Sequence, residues 1–255
     1  MKTHLYHILA TVSCWWLSSA WLAGGLLLNS PRFGLPPATD PDFANVVLLL
    51  HCDGVDGSTV FLDSGSGGYA FTGSNNAQID TSHARFGTAS LELDGNVNSI
   101  FRAGTTPAFE FSADFTIEFW VKPNVLSGIQ VLVDFRPVSV NGSYLAVYLD
   151  GDGLRLYTNA SDVIAGGTLT VGDWQHVALC RRGGTTRMFL GGLQIGVALT
   201  GDVSSYLCGS NRPIFGLNGY FEANDFNGRI DEIRFCNVAL YGYNFVPPDS
   251  VFPDS

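Results

Sequence analysis

The sequence predicts an all-β fold, a two-sheet antiparallel sandwich of the jelly-roll type, over most of its 255 residues. Strand-like runs recur along the chain, with Gly, Asp or Asn between them. The composition, with 30 Gly, 18 Phe and 9 Tyr, favours short aromatic strands joined by tight turns. Outside the N-terminus no stretch has a helical period, and many antiparallel strands without helices are typical of sandwiches and jelly rolls.

The overall charge limits the classes of partner. Hydrophobic residues make up 46% of the chain and charged residues 14%, so the apolar surface suffices for a sizeable core. Lys and Arg total 13 against 23 Asp and Glu, which gives a formal net charge of −10. Because no basic cluster interrupts this balance, we expect no nucleic-acid partner, whereas neutral ligands, metal ions and protein partners all stay open.

The first element is an apolar N-terminal segment, residues 1–28, in which Ile8–Leu28 carries no charge. Three interpretations stay open: a signal peptide, a membrane anchor, and a segment docked on the domain or on a partner subunit. Membrane contact is expected only through residues 8–28, and hydropathy alone does not separate the three. Residues 29–41 are rich in Pro and small polar residues, which predicts an extended linker before a single domain at 42–255.

The domain itself consists of strand-like runs from "NVVLLLH" onward. In "FTIEFWVK" apolar and polar residues alternate, which predicts a half-buried strand with Glu118 on a solvated outer face. In "FNGRIDEIRF" the same alternation puts Asp231 on one face with Ile233 and Phe235. The sequences "DGDG" at Asp150–Gly153 and "RGGTTR" at Arg182–Arg187 predict hairpin turns.

The cysteines are widely spaced, and no CxxC or Cys/His spacing indicates zinc. Cys52 and Cys236 each lie at the end of a predicted strand, so a disulfide between them stays open if those strands are neighbours. Free, mostly buried thiols are the favoured interpretation, since Cys behaves as a small core residue. The full set is Cys14, Cys52, Cys180, Cys208 and Cys236.

The order of several motifs resembles a known family. They are "LLLHCDG…DSGSGG", "FGTASLELDG", "FTIEFWVKP", "DWQHVALCRRGG", "MFLGGLQIG" and "FNGRIDEIRF". In this order they resemble the concanavalin A-like, laminin G-type jelly roll over residues 42–255. The opening "DPDFANVVLLLHCDG" and the closing "ALYGYNFVPPDSVFP" resemble variants common in bacteriophage structural proteins. The resemblance implies a location on the phage particle and allows a homo-oligomer, by analogy alone.

Catalysis is poorly supported, although some members of this superfamily are glycoside hydrolases. Their chemistry needs two carboxylates close together. Glu92 and Asp94 share a face of "LELDG" but no third carboxylate follows, and Asp231 and Glu232 fall on opposite faces of their strand. His176 in "WQHVAL" is predicted to be a packed strand residue rather than a general base. The sequence therefore predicts a protein that is not an enzyme.

The resemblance also implies a structural calcium ion where the first and last strands lie side by side. The matching positions are Asp53, the backbone of Gly95, and Asp231. Asp231 needs such a partner because a buried carboxylate is costly unless something satisfies it. The alternative is that backbone N–H groups of a loop donate to Asp231 and fix the closing strand. Both interpretations stay open.

Glycan recognition would need exposed aromatic rings beside amides on loops. The stretch "GLNGYFEANDFNG", Gly216–Gly228, is the richest in these groups, and its candidate ligand-binding residues are Asn218, Tyr220, Phe221 and Asn224. The predicted function is a non-catalytic recognition or adhesion module of a phage particle, which binds a glycan or other virion proteins. The alternative is a secreted or membrane-anchored, lectin-like carbohydrate-binding protein of a cell.

Overall fold

A computed structural model describes residues 39–96, 99–102 and 109–255. All the described strands lie in the compact unit of residues 37–255. The predicted apolar segment at 1–28 and the linker as far as residue 38 lie outside the described residues. In the part that is described, no helix has the length and the apolar character needed to cross a membrane.

The described residues form a short 3-10 helix, Phe43–Asn45, and sixteen β-strands. The strands are β1 (Val46–Leu50), β2 (Val60–Leu62), β3 (Ala70–Ser74), β4 (Gln78–Asp80), β5 (Ser90–Asp94), β6 (Ser99–Arg102), β7 (Phe115–Pro123), β8 (Ile129–Asp134), β9 (Ala146–Asp150), β10 (Gly153–Thr158), β11 (Ser161–Gly166), β12 (Gln175–Arg182), β13 (Thr185–Leu190), β14 (Leu193–Thr200), β15 (Ile214–Phe215) and β16 (Asn227–Cys236).

These strands build two eight-stranded antiparallel sheets. The first, which we call the covered sheet, has the order β14-β13-β12-β7-β16-β5-β4, and β1 pairs with β16. The second, which we call the open sheet, has the order β11-β10-β9-β8-β15-β6-β3-β2. The all-β, two-sheet antiparallel jelly-roll sandwich predicted from the sequence is confirmed.

The core between the sheets is rich in phenylalanine, with Phe235 of β16 at its centre. The ring of Phe235 lies 5.6 Å from that of Phe109, 5.8 Å from Phe135 and 6.1 Å from Phe215. Such ring pairs add about 0.5–1.5 kcal/mol each beyond the apolar area that they bury. These contacts therefore hold the closing strand β16 in the middle of the sandwich.

The chain after β16 crosses the outer face of the covered sheet. The rings of Tyr241 and Phe245 stack with their centres 3.6 Å apart, and both pack on Phe189. Further along the same face, Phe252 packs with Leu49. As a result, β7 is buried on both faces instead of one. The prediction that Glu118 lies on a solvated face is wrong, because its side chain is 0% exposed beneath this C-terminal segment.

A β-bulge interrupts the pairing of β16 with β7. Asp231 pairs with Trp120, whereas Arg234 pairs with Glu118, so β16 advances by one residue more than its partner. Glu232 has a φ of 49°, in the left-handed region that non-glycine residues adopt uncommonly. The bulge therefore shifts the alternation of side chains within the closing strand.

This shift corrects the predicted position of Asp231. Asp231 lies opposite Trp120, on the side of the covered sheet that faces away from the central core. Ile233 and Phe235 point into that core. The prediction that Asp231 shares their face is wrong, since strict alternation fails where a bulge adds a residue.

Both predicted hairpin turns are confirmed. Gly151 and Asp152 connect β9 to β10, and Gly183 and Gly184 connect β12 to β13. Gly183 and Gly184 have φ values of 56° and 68°, and a two-residue hairpin of this kind needs positive φ at both positions. The turn chemistry therefore fixes the register of these strand pairs locally.

The favoured interpretation of the cysteines is confirmed for the part of the chain that the structure describes. Cys52, Cys180, Cys208 and Cys236 are buried, and none of these four is in a disulfide. Burial raises the pKa of Cys52 and Cys180, and it raises that of Cys236 to about 12. Cys14 lies outside the described residues.

Candidate functional site

A cavity of about 150 Å³, which we call the aromatic cavity, lies on the outer face of the open sheet. Strands β8, β9 and β10 supply its floor, and a loop between β15 and β16 supplies one wall. Its lining residues are Ile129, Val131, Arg136, Tyr148, Tyr157, Asn218, Phe221 and Asn224.

The β9–β10 hairpin places two tyrosines in this cavity. Alternate residues such as Val147 and Leu156 face the core, which leaves Tyr148 and Tyr157 on the outer face. The Tyr148 hydroxyl donates to both carboxylate oxygens of Asp162, at 2.7 and 2.8 Å. Burial, and then this bond to Asp162, raise the pKa of Tyr148, so its hydroxyl stays protonated and its ring is held in place.

A buried ion pair supports the cavity from one side. Arg136 Nη2 donates to Asp134 Oδ2 at 2.6 Å, and Arg136 Nε donates to Asp134 Oδ1 at 3.0 Å. The Arg136 guanidinium lies 4.7 Å from the centre of the Tyr157 ring, within the range of a cation–π contact. Burial by itself would lower the pKa of Arg136, but its bond to Asp134 and the charge of that carboxylate outweigh burial and raise it. The charge of Arg136 is therefore already paired.

Residues 217–224, which we call the ridge, form the wall of the cavity. Asn218 Oδ1 accepts hydrogen bonds from the backbone N–H groups of Tyr220 and Phe221, both at 3.0 Å. The Asn218 N–H donates to the carbonyl of Ala223 at 2.9 Å. The Gly219 N–H donates to Asp134 Oδ2 at 2.9 Å, so the buried ion pair also anchors the ridge. These bonds make the ridge a compact turn with a defined shape.

Phe221 stands out from the ridge with 69% of its side chain exposed. Its ring packs edge-on against Tyr220, at 4.5 Å between ring centres. Beside it, Asn218 and Asn224 contribute amide groups to the lining of the cavity. An exposed aromatic ring thus lies beside polar groups and two further aromatic rings, on a backbone that the Asn218 side chain holds.

The structure brings together three of the four predicted ligand-binding residues. Asn218, Phe221 and Asn224 line the aromatic cavity, whereas Tyr220 packs against Phe221 and is not among the lining residues. Sequence reasoning missed the residues that the sheet contributes, namely Ile129, Val131, Tyr148 and Tyr157, and it missed Arg136, which follows β8. The positions of the two tyrosines could have been predicted from the sequence. With a turn at Gly151, the alternation of side chains along each strand places Tyr148 and Tyr157 on the same face of the hairpin.

Asp231 is placed away from this cavity, on the covered sheet. Its Oδ2 accepts hydrogen bonds from the N–H groups of Arg85, at 2.7 Å, and Phe86, at 3.2 Å. Its Oδ1 accepts one from the N–H of Glu232 at 2.9 Å. Of the two interpretations left open for Asp231, these bonds match the one in which backbone N–H groups donate to it. Burial raises the pKa of Asp231 to about 8, although the amide donors act in the opposite direction.

The other two residues assigned to calcium do not complete a set of ligands with Asp231. Asp53 Oδ1 accepts the Thr88 hydroxyl and the Ala89 N–H, both at 2.9 Å. Gly95 lies against Asn227, which precedes Asp231 by four residues on β16. At the rise of an extended strand, four residues separate Asn227 from Asp231 by about 13 Å. Among residues 39–96, 99–102 and 109–255, no three His, Cys, Asp or Glu side chains are grouped to hold a metal ion. The donor set therefore does not fit a shared calcium ion, which needs convergent oxygen ligands.

The carboxylates of Glu118 and Glu92 are both engaged in ion pairs. Glu118 is 0% exposed and bonds to Arg234 Nη2 at 2.7 Å, His176 Nε2 at 3.0 Å and the Tyr241 hydroxyl at 2.8 Å. Glu92 pairs with Arg229 at 2.9 Å. His176 is fully buried, so the prediction that it is a packed strand residue is confirmed.

Solved structures with the same fold come from several classes of protein. The binding domain of Paraclostridial Mosquitocidal Protein 1 is 21% identical, with a TM-score of 0.58 over 78% of this chain and 50% of that one. Domain 4 of AbnA, an extracellular arabinanase from Geobacillus stearothermophilus solved with arabinotriose, is 18% identical, with a TM-score of 0.57 over 77% and 94%. A botulinum neurotoxin type C structure is 12% identical, with a TM-score of 0.57 over 78% and 49%.

At these identities the likeness shows the fold alone. The chain spans about half the length of the mosquitocidal and neurotoxin structures that it matches. No curated protein sequence matches the chain. Residues 94–242, which are more than half of the chain, match the family described as Laminin_G_3, concanavalin A-like lectin/glucanases superfamily. The chain therefore belongs to this family.

Proposed function

We propose that the domain is a non-catalytic module that binds a glycan in the aromatic cavity. The observation that carries the proposal is the exposed ring of Phe221 beside Tyr148, Tyr157 and the amides of Asn218 and Asn224. A sugar ring has apolar C–H faces and a rim of hydroxyl groups, so it needs aromatic surfaces together with a few placed polar groups. This cavity supplies both.

The rigidity of the ridge supports binding rather than a passive surface role. Asn218 holds the amides of Tyr220 and Phe221, and Asp134 holds that of Gly219. A preorganised site loses less conformational entropy when the ligand binds, which leaves more of the contact energy for affinity. The sugar would therefore meet a surface already in its binding shape.

Two of the similar structures support a sugar as the ligand. The arabinanase domain was solved with arabinotriose, and cell entry of botulinum neurotoxin type C depends on interaction with two ganglioside molecules. The non-catalytic part of the proposal is supported by Glu118 and Glu92, which are held in ion pairs, Glu118 without access to solvent. A hydrolase of the two-carboxylate type would need such groups free to reach a glycosidic bond.

A glycan array followed by calorimetry on the full chain tests this proposal. We expect the wild-type protein to bind a subset of glycans and Phe221→Ala to weaken that binding by about tenfold or more, or 1.4 kcal/mol. Tyr243→Ala is the matched control, because Tyr243 is also an exposed aromatic residue, at 80%, but lies in the C-terminal segment. Absence of any glycan binding, or an equal loss in the control, would refute the proposal.

We also propose the biological setting that the resemblance implies, a phage particle, with a secreted or membrane-anchored protein as the alternative. The domain would then contact glycans or other virion proteins. We expect the full chain to co-purify with phage particles, and deletion of residues 1–36 to abolish that association. Mass spectrometry that shows a mature N-terminus near Ala20 would support export instead.

A further inference from the structure

A second cavity, of about 320 Å³, lies on the same outer face of the open sheet. We call it the polar cavity, because hydroxyl and amide side chains form much of its lining. The lining residues are Ser74, Asn75, Ser99, Asn211, Arg212, Ile214, Leu217 and Glu222.

The ridge separates the two cavities and contributes side chains to both. Leu217 and Glu222 line the polar cavity, whereas Asn218, Phe221 and Asn224 line the aromatic cavity. Neighbouring ridge residues thus serve opposite sides. A ligand that occupied both cavities would have to pass over the ridge.

The two cavities share one rigid frame beneath the ridge. Arg212 of the polar cavity donates through Nε to the carbonyl of Arg136, at 2.7 Å, and Arg136 lines the aromatic cavity. Arg212 Nη2 donates to the carbonyl of Gly219 in the ridge, at 3.0 Å. The distance between the two cavities is therefore fixed by buried hydrogen bonds.

The strand order shows how far apart the cavities lie. The aromatic cavity lies over β8, β9 and β10, and the polar cavity lies over β15, β6 and β3, which continue the same sheet. Three strand spacings separate β9 from β6, which is about 14 Å at the usual distance between paired strands. A single sugar ring is too small to occupy both cavities.

The chemistry of the polar cavity suits the hydroxyl groups of a sugar chain. The Ser74 and Ser99 hydroxyls are 3.1 Å apart, and either can donate or accept. Ile214 and Leu217 give an apolar floor, at 5% and 6% exposure. Stacking on aromatic rings would dominate in one cavity and hydrogen bonding in the other.

The charges favour an uncharged ligand. Arg136 of the aromatic cavity is paired with Asp134, and Arg212 of the polar cavity has Glu222 among its neighbours in the lining. The whole chain carries a formal charge of −10, which repels anions at long range. A carboxylated sugar would therefore lose affinity relative to a neutral one.

We infer that the two cavities are subsites of one groove, which takes an uncharged linear oligosaccharide long enough to cross the ridge. This inference rests on the proposed function and adds the class of ligand and a second site. Affinity should rise with the length of the oligosaccharide until both cavities are filled. A substitution that blocks the polar cavity should abolish this rise and leave the affinity for the shortest oligosaccharide unchanged.

The test is calorimetry on the full chain with neutral arabino-, cello- and malto-oligosaccharides of two to six units, and with oligogalacturonides as charged counterparts. For the neutral series that binds, we expect affinity to rise at least tenfold from the shortest to the longest. Ser74→Tyr, which places a ring in the polar cavity, should abolish this rise and leave the shortest ligand unaffected. Thr72→Tyr is the control, because Thr72 lies on the same face of β3 but does not line the cavity.

The outcomes separate this inference from the proposed function. If the shortest and longest oligosaccharides bind equally and Ser74→Tyr changes nothing, while Phe221→Ala still weakens binding, the two-subsite groove is overturned and the aromatic site stands. If the oligogalacturonides bind more tightly than the neutral series, the uncharged class is overturned. If a loss of length dependence occurs equally in Thr72→Tyr, the polar cavity is not the second subsite. Circular dichroism confirms that each variant is folded.

Discussion

The backbone N–H of Arg85 donates to Oδ2 of Asp231 at 2.7 Å, across 146 residues of sequence. The same oxygen accepts the Phe86 N–H, so the turn that precedes β5 is tied to the bulge in β16. Burial of Asp231 is thus compensated by main-chain donors rather than by another side chain. This joins a loop early in the domain to its closing strand.

We predict that Asp231→Leu lowers the free energy of unfolding by about 3 kcal/mol or more. Leucine leaves the amide groups of Arg85, Phe86 and Glu232 without their acceptor, and each unsatisfied buried donor costs about 1–3 kcal/mol. Asp231→Asn keeps one acceptor oxygen and should lose less. Thermal and urea unfolding measure the effect.

Asp249→Leu is the control for this change, since Asp249 is exposed. Each protein is also unfolded with excess calcium and with EDTA. Unchanged melting of Asp231→Leu in both conditions would contradict the role of the carboxylate. A calcium-dependent rise in the melting temperature of the wild-type protein that this variant loses would instead support the metal interpretation.

The buried group around Glu118 predicts acid sensitivity. Burial by itself would raise the pKa of Glu118, but the charge of Arg234 and the bond from His176 outweigh it and lower the pKa below 4.5. The stabilisation from Glu118 is therefore fully present above about pH 4.5 and is lost as pH falls through the lower pKa of the folded state. The free energy of unfolding, measured by urea titration from pH 7 to pH 3, should fall in this range.

Glu118→Gln should be destabilised at pH 7 by about 3–5 kcal/mol, because Arg234 loses its buried partner, and its remaining stability should vary less with pH. Asp150→Asn, which removes the exposed pair with Arg155, is the control and should change stability by less than about 1 kcal/mol. Parallel pH profiles for the wild-type protein and Glu118→Gln would show that another group causes the acid sensitivity.

The ridge should loosen when its central acceptor is removed. In Asn218→Ala the amides of Tyr220 and Phe221 lose their acceptor, so we expect faster hydrogen exchange at both positions and weaker glycan binding. Asn244→Ala is the matched control: Asn244 Oδ1 accepts the N–H of Gln194, at the edge of the covered sheet. Unchanged exchange in the ridge of Asn218→Ala would contradict its role there.

The buried thiols should be inert in the folded protein. Cys52, Cys180, Cys208 and Cys236 are buried, and burial raises the pKa values of Cys52, Cys180 and Cys236, so little thiolate is accessible at neutral pH. We expect none of the four to react with Ellman's reagent before unfolding and all four to react in guanidinium, with the sites located by mass spectrometry. Rapid labelling of Cys236 in native buffer would contradict the observed packing of the closing strand.

The candidate site was partly readable in the sequence. Asn218, Phe221 and Asn224 stand in one short aromatic and amide-rich stretch, which local composition alone identifies. Arg136 gave no local signal, because its role depends on Asp134, on the ring of Tyr157 and on a ridge more than eighty residues later in the chain. The alternation of residues in the β9–β10 hairpin would have predicted which side chains form the floor of the cavity. The cavity itself also needs the ridge as its wall, and the alternation does not predict that contact.

The sequence by itself determined the all-β class, the hairpin turns and the burial of most apolar residues. Turn chemistry at Gly151 and at Gly183–Gly184, and the period of two, act between residues close in the chain. Tertiary structure alone decided which side Asp231 faces, because a bulge at Glu232 shifts the alternation and depends on pairing with β7. It also decided that Glu118 is buried, since a C-terminal segment more than a hundred residues away covers it. Such contacts depend on which surfaces meet in the folded sandwich, and no local pattern encodes that.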